Sequence, residues 1–286
     1  MTKGGYTLHH AVSADGTRIG YRRLGGGPGL VLVHGAFVSG HEYEKLAAAL
    51  ADTYTVYNLD RRGRRYSGPQ GGRYGMDREC EDVLAVLEAT GSSLLFGHSY
   101  GGLIALELAR TRPGAVARLA VYEPAVSVRG SFPSGWMPAY KQAMAEGRDV
   151  RAFVSFLKGV GTSQPFCRLP AWLLELLLLP TLLFPEGRKL RDKLPTLIRE
   201  MEETFRLDSS CGGYAAIRAE TLVLAGGRSP AFMLAGARAA AGAIPDARLL
   251  VLGGRGHNAP VLLGQRTLAA RLKAFFGAPA AGPPPR

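Results

Sequence analysis

Residues 92–102, Ser-Ser-Leu-Leu-Phe-Gly-His-Ser-Tyr-Gly-Gly, constrain the fold more than any other stretch of the chain. A short apolar run leads into Gly97-His98-Ser99-Tyr100-Gly101, and a helix-forming segment, Leu103 to Arg110, follows at once. A serine on a sharp strand-to-helix turn sits in a strained backbone conformation, so the residues two before and two after it must be small. Gly97 and Gly101 meet that demand. Such a turn lifts the hydroxyl out of the sheet to a helix N-terminus, where backbone N–H groups favour developing negative charge. The pentapeptide alone would also suit a glycine-rich turn with an incidental serine. The flanking strand and helix make Ser99 a candidate nucleophile.

The remaining pattern supplies a sheet for that turn. Tyr6 to Ala14 and Arg18 to Leu24 flank Asp15-Gly16, a hairpin signal. Leu30 to Val33, Tyr54 to Leu59, Leu94 to Phe96 and Leu119 to Tyr122 read as buried strands, with helices expected over Glu42 to Ala51 and Met76 to Thr90. After Val126 the alternation breaks into prolines, aromatics and leucine-rich helical pieces. It resumes with Thr221 to Ala225, Pro230 to Ala243, Arg248 to Leu252 and Gln265 to Phe276. Strands alternating with helices imply a parallel sheet covered on both faces. The expected organisation is a core of residues 1–126 and 216–276, an insertion over 127–215, and an unstructured tail over 277–286, rich in Pro, Ala and Gly.

Composition narrows the classes. With 286 residues, 47% of them apolar, the chain can bury a full core. The formal charge is +12, concentrated only in Arg61-Arg62-Gly63-Arg64-Arg65 and Arg188 to Lys193. No aromatic residues interleave at a nucleic-acid-binding spacing, so these runs read as solvated surface, with attraction to an acidic substrate or carrier protein as the weaker reading. Cys80, Cys167 and Cys211 share no metal-ligand spacing and read as reduced thiols. The N-terminus has no apolar signal-peptide core. The most apolar stretch, Ala171 to Phe184, is too short to span a bilayer and is interrupted by Pro180. The expectation is a cytoplasmic protein with no membrane span, no metal and no cofactor.

A serine hydroxyl needs a base, and the base an orienting acid. His257, in the loop after the strand Arg248 to Leu252, is the candidate base: parallel strands end at one edge, where it can meet Ser99. The plainer reading is a loop histidine with a local hydrogen bond. His98 should point away from the site, His9 and His10 fall in the first hairpin, His41 supports a site residue from behind or is merely exposed, and His34 braces its loop. Two backbone N–H groups must hold the oxyanion of the tetrahedral intermediate. Tyr100, next after the serine, should give one; Ala36 in the loop after His34-Gly35, with Phe37 as second choice, should give the other.

The set His34-Gly35, Asp60-Arg61-Arg62-Gly63 with Ser67-Gly68-Pro69, Gly97 to Gly102 and Gly256-His257 resembles the α/β-hydrolase superfamily, motif by motif and in its order. The resemblance implies an α/β fold, a mostly parallel sheet with helices on both faces, and an inserted helical cap over residues 127–215. It also implies that the turn from Asp60 to Gly63 shapes the sheet edge. The family usually keeps its acid after the strand equivalent to Thr221 to Ala225. Here that loop is Gly226-Gly227-Arg228-Ser229-Pro230, without a carboxylate, and Ser229 stands about where the aspartate is often found. Some members carry the acid after the preceding strand, which here ends Tyr122-Glu123-Pro124, so Glu123 is the candidate. A turn cap or an arginine partner is the alternative role for Glu123. Asp246 precedes its strand and should lie at the opposite edge.

The apolar run Trp172 to Leu179 should be buried or line a cavity, and Phe37, Trp136 and Trp172 are the candidate substrate contacts. Phe132, Trp136, Tyr140, Phe153, Phe156 and Phe166 add aromatic surface, and for most of them internal cap packing is the expected role. The first function is a serine hydrolase forming an acyl-enzyme from an ester, thioester or lactone of an apolar small molecule, carrier-protein-bound acyl groups included. The same scaffold also serves lyases, isomerases, cyclases and C–C hydrolases that form no lasting acyl-enzyme. A non-catalytic binding module would have no need of an activated serine.

Overall fold

The computed structural model describes residues 5–163, 165–180 and 185–277. The strands are β1 (Thr7–Val12), β2 (Arg18–Leu24), β3 (Gly29–Val33), β4 (Thr55–Leu59), β5 (Leu94–His98), β6 (Arg118–Tyr122), β7 (Glu220–Gly226) and β8 (Ala247–Leu252). They form one sheet in the order β1-β2-β4-β3-β5-β6-β7-β8. β1 and β2 pair antiparallel and β2 meets β4 antiparallel; every later pair is parallel. The first hairpin turns at Gly16, with φ 82°, a conformation that glycine adopts without steric cost.

The central strands read as continuous apolar runs because both faces are covered. Their side chains alternate between two cores. Val31, Val33, Leu95, Leu119 and Val121 face one core, packed by α2 (Met76–Thr90), α3 (Tyr100–Thr111) and α8 (Ala231–Ala243). Leu30, Leu32, Phe96, Ala120 and Tyr122 face the other, packed by α1 (Glu44–Leu50) and α9 (Gln265–Phe276). Near its C-terminal edge the register aligns Val33 with Gly97, His98 with Tyr122, and Tyr122 with Leu224. The loops that follow these strands therefore share one rim.

Between β6 and β7 lie α4 (Met137–Ala145), α5 (Asp149–Val160), α6 (Ala171–Leu178) and α7 (Pro185–Arg206), a helical cap. Its stem is closed by a bridge between Val128 and Ser209, and Asp208 accepts from the Ser127 hydroxyl and the Gly130 N–H.

Two surface expectations are corrected. Arg61, Arg62 and Arg64 are 1%, 2% and 3% exposed, not solvated. They sit in the turn after β4 and are neutralised by carboxylates from α2 and α7: Arg61 by Glu79 and Glu200, Arg62 by Asp82, Arg64 by Glu200. α6 is not buried. Leu174 is covered, but Trp172 is 67% exposed and Leu176, Leu177 and Leu179 are exposed as well. The 181–184 part of that apolar run, the side chains of 185–190 and the tail from 278 lie outside the described residues.

Candidate active site

The Ser99 turn is tightly specified. Ser99 has φ 55° and ψ −121°, and its N–H donates to the Tyr122 carbonyl at 3.0 Å. A Cβ on Gly97 would lie 2.4 Å from the Gly101 carbonyl oxygen, and one on Gly101 would lie 2.4 Å from that of Val33. Alanine at either position would collide with backbone that cannot move. Six non-glycine residues have positive φ among the described residues, and Phe37, Ser99 and Glu123 are three of them. Such conformations cost about 1–3 kcal/mol each and persist only where the surroundings enforce them.

Glu123 is the first residue after β6, fully buried, with its N–H bonded to the Leu224 carbonyl. Its Oε1 accepts the Gly226 N–H at 2.6 Å and its Oε2 lies 2.7 Å from His257 Nδ1. The loop that lacks a carboxylate thus serves Glu123 through its backbone. A Cβ on Gly226 would approach the Tyr122 hydroxyl to 2.8 Å, which leaves no room for a side chain there. The Ser229 hydroxyl is buried with no hydrogen-bond partner. An ionised carboxylate only accepts, so the bond fixes the proton of His257 on Nδ1 and leaves Nε2 as the acceptor.

Two further histidines are structural. His98 Nε2–H donates to the His257 carbonyl at 3.0 Å, and its Nδ1 takes the Tyr43 hydroxyl proton. Burial, then the neighbouring His257, holds its pKa well below the usual histidine value. His34 Nδ1–H donates to the Gly35 carbonyl at 2.8 Å, and its Nε2 accepts the Arg61 N–H at 3.0 Å. Burial, followed by the charges of Arg61 and Arg64, depresses its pKa in the same way. Tyr122 Oη–H donates to the Gly256 carbonyl at 2.9 Å, so His257 is framed by bonds on both sides.

Ser99 and His257 line one cavity of about 210 Å³. Ala36 and Phe37 line it too, and a Cβ on Gly35 would be 3.0 Å from Ser99 Cβ, so this loop lies against the serine. Among the described residues no hydrogen bond joins Ser99 Oγ to the His257 ring; such contacts are often long before a substrate tightens them. Tyr100 presents only its backbone to this region. Its ring is fully buried and its hydroxyl meets that of Tyr74 at 2.9 Å.

The cavity wall is apolar. Phe37 packs edge-on to Phe153 and at 4.6 Å to Phe156, and Phe132, Leu157, Val160, Met201, Met233 and Val261 complete it. Thr162, Ser163 and Asn258 add hydroxyl and amide groups, and among the described residues no Asp, Glu, Lys or Arg lines it. Trp136 and Trp172 are not part of this wall. Trp136 supports it from behind, its ring 5.2 Å from Phe156 and its Nε1–H bonded to the Pro133 carbonyl; Trp172 is on the outer surface. The 153, 156, 157 and 160 spacing on α5 is a one-sided helical face, a signal that could have named these residues. Met201, Met233 and Asn258 carried no local signal. A second concavity, about 640 Å³, opens at the opposite edge of the sheet near Arg118, Arg218, Glu220 and Asp246. Asp246 is therefore remote from His257.

The sequence model of the alpha/beta hydrolase family matches residues 30–271. The chain belongs to the alpha/beta hydrolase family. A structure of an alpha/beta hydrolase from Sphaerobacter thermophilus superposes with a TM-score of 0.77 at 31% identity, covering 94% of this chain and 100% of that one. An esterase from Rhodococcus sp. ECU1013 superposes with a TM-score of 0.72 at 26% identity, over 95% and 98%. The pimeloyl-[acyl-carrier protein] methyl ester esterase of Xanthomonas campestris is 28% identical over 265 residues, 89% of this chain and 97% of its own. Two other curated relatives match only in part, over 44% and 38% of their lengths. No helix among the described residues is long and apolar enough to cross a membrane.

Proposed function

We propose that this hydrolase cleaves carboxylic esters or thioesters through an acyl-enzyme on Ser99. His257 Nε2 takes the Ser99 proton as Oγ attacks the carbonyl carbon, and Glu123 stabilises the imidazolium that forms. The backbone N–H groups of Ala36 and Tyr100 hold the oxyanion. Collapse of the intermediate expels the alcohol or thiol, which leaves with the proton from His257. Water then attacks the acyl carbonyl, giving its proton to His257, and the acid departs as Ser99 Oγ regains that proton. Each role belongs to a residue named by the sequence pattern. The observation that carries the reading is the 2.7 Å contact of His257 Nδ1 with Glu123, at the wall of a cavity that Ser99 also lines.

The uncharged, aromatic wall favours a neutral apolar acyl group. The cavity of about 210 Å³ favours a short or medium chain over a long one. The esterases among the relatives support ester chemistry, and a net charge of +12 favours approach of an acidic carrier bearing the acyl group. Hydrolysis of p-nitrophenyl butyrate and octanoate, with the quenched enzyme weighed by mass spectrometry, tests the reading. The expected result is an acyl adduct on the peptide containing Ser99 and turnover that disappears in Ser99→Ala. Turnover that survives Ser99→Ala would refute it and favour chemistry without an acyl-enzyme.

A further inference from the structure

The turn after β4 carries a buried guanidinium that reaches three elements at once. Arg61 Nε and Nη2 donate to the two oxygens of Glu79 on α2, at 3.0 and 2.5 Å. Nη2 also lies 3.0 Å from Glu200 Oε1 on cap helix α7, and the guanidinium stands 4.6 Å from the centre of the Tyr100 ring. Its remaining arm, Nη1, donates to the Gly35 carbonyl at 3.2 Å, the same oxygen that takes the His34 Nδ1 proton.

That last bond bears on the oxyanion loop. In a trans peptide unit the C=O of one residue and the N–H of the next point in opposite directions. Two donors pulling on the Gly35 oxygen therefore fix the direction of the Ala36 N–H. The loop lies against Ser99, where a Cβ on Gly35 would be 3.0 Å from Ser99 Cβ. Glu200 ties this to the cap. Its Oε1 is shared by Arg61 and Arg64, at 3.0 and 2.7 Å, and Arg64 also donates to Thr196 Oγ1 one turn earlier on α7. If α7 lifts, Arg61 keeps Glu79 but both guanidiniums lose Glu200, the carboxylate they share.

We propose that Arg61 is a positioning residue that aims the Ala36 N–H at the reacting carbonyl, and that Glu200 makes this aim depend on the seating of cap helix α7. The proposal rests on the acyl-transfer reading above. Neither residue touches substrate; Arg61 acts through the Gly35–Ala36 peptide and Glu200 acts through Arg61.

The test pairs ester kinetics with inhibition by a trifluoromethyl ketone of the same acyl chain, which adds Ser99 Oγ to form a tetrahedral oxyanion. Removing one oxyanion donor typically costs 10²–10³ in kcat. A misaimed donor should give a fraction of that, so Glu200→Gln is expected to lower kcat about 10-fold and Arg61→Met about 100-fold. The ketone Ki should rise by matching factors while KM stays within about twofold, because ground-state binding does not use the oxyanion donors. A loss of kcat with no matching rise in Ki would overturn the proposal, as would a folded Glu200→Gln with both constants unchanged. If Arg61→Met fails to fold, Glu200→Gln decides, since it preserves side-chain shape and the Arg61–Glu79 pair. A wild-type protein that neither hydrolyses the ester nor binds the ketone would instead refute the acyl-transfer reading.

Discussion

Two buried clusters of ionisable groups flank the Ser99 turn, and they are neutralised in different ways. On one side Arg61 and Arg64 face Glu79 and Glu200, two cations against two carboxylates, with forked contacts of 2.5–3.0 Å. On the other side no guanidinium among the described residues pairs with Glu123; its oxygens are held by the Gly226 N–H and the His257 ring. The first cluster is balanced before any reaction and acts as a strut between turn, helix and cap. In the acyl-transfer reading the second would gain its balancing charge when His257 takes the Ser99 proton. A buried carboxylate next to an imidazole is therefore suited to catalysis where a lattice of paired ions is suited to support.

The comparison breaks most visibly at the serine. Ser99→Ala is expected to lower kcat for a p-nitrophenyl ester by about 10⁴-fold or more, because base and acid have no nucleophile to serve. Stopped-flow or plate kinetics at saturating substrate measure this. Glu123→Gln should follow, with a loss in kcat/KM of about 10³-fold: the amide presents N–H to Nδ1, forcing the wrong imidazole tautomer. An unchanged rate would return Glu123 to the role of a turn cap.

Beside the strut, the Arg62–Asp82 pair does not reach the Gly35 carbonyl, so the expected damage there is to stability, not rate. Arg62 Nε and Nη2 bond both oxygens of Asp82 at 2.7 Å, with no contact to the oxyanion loop. Arg62→Met leaves Asp82 buried without its cation and should cost about 3 kcal/mol in urea unfolding, with kcat within threefold of wild type. A variant that loses activity in proportion to stability would erase the division between the clusters.

The effect furthest from the reaction is a pH slope. His34 and His98 are held neutral, with folded pKa values below the 6.5 of the free ring. Below pH 6.5 the unfolded chain binds protons at these rings that the folded chain does not. Stability from these rings is thus complete above pH 6.5 and falls as pH drops toward the folded pKa values, at about 1.4 kcal/mol per pH unit for each ring. Urea titrations at pH 7, 6 and 5 measure the slope, and a flat profile would mean that the rings charge freely in the folded state.

Much of the fold was legible because its signals are local. Leu30 to Val33 and Leu119 to Tyr122 are continuous apolar runs, and strand, turn and helix follow one another around Ser99. The choice of Glu123 came from the family resemblance; the strand order adds that a carboxylate ending one parallel strand and a histidine following another reach one rim. Arg61, Arg62 and Arg64 were misread, while Arg65 is exposed as expected, because their partners are remote in sequence, Glu200 lying 139 residues beyond Arg61. Composition gives charge but not its compensation. The Trp172 to Leu179 run was misread for a related reason: leucine density marks an apolar helix but not the neighbour that covers it. Trp136 was placed one layer too near the cavity, since aromatic content does not say which ring faces the space and which supports it.

The central claim is that Ser99, His257 and Glu123 work as one acyl-transfer unit. Its most direct test is the rate of covalent labelling by a fluorophosphonate, followed by peptide mapping, in wild type, Ser99→Ala, His257→Ala and Glu123→Gln. The account predicts one label per wild-type chain on Ser99, none in Ser99→Ala, and labelling slowed by orders of magnitude in the other two. A folded wild-type protein that takes no label, or that labels equally fast without His257, would contradict it.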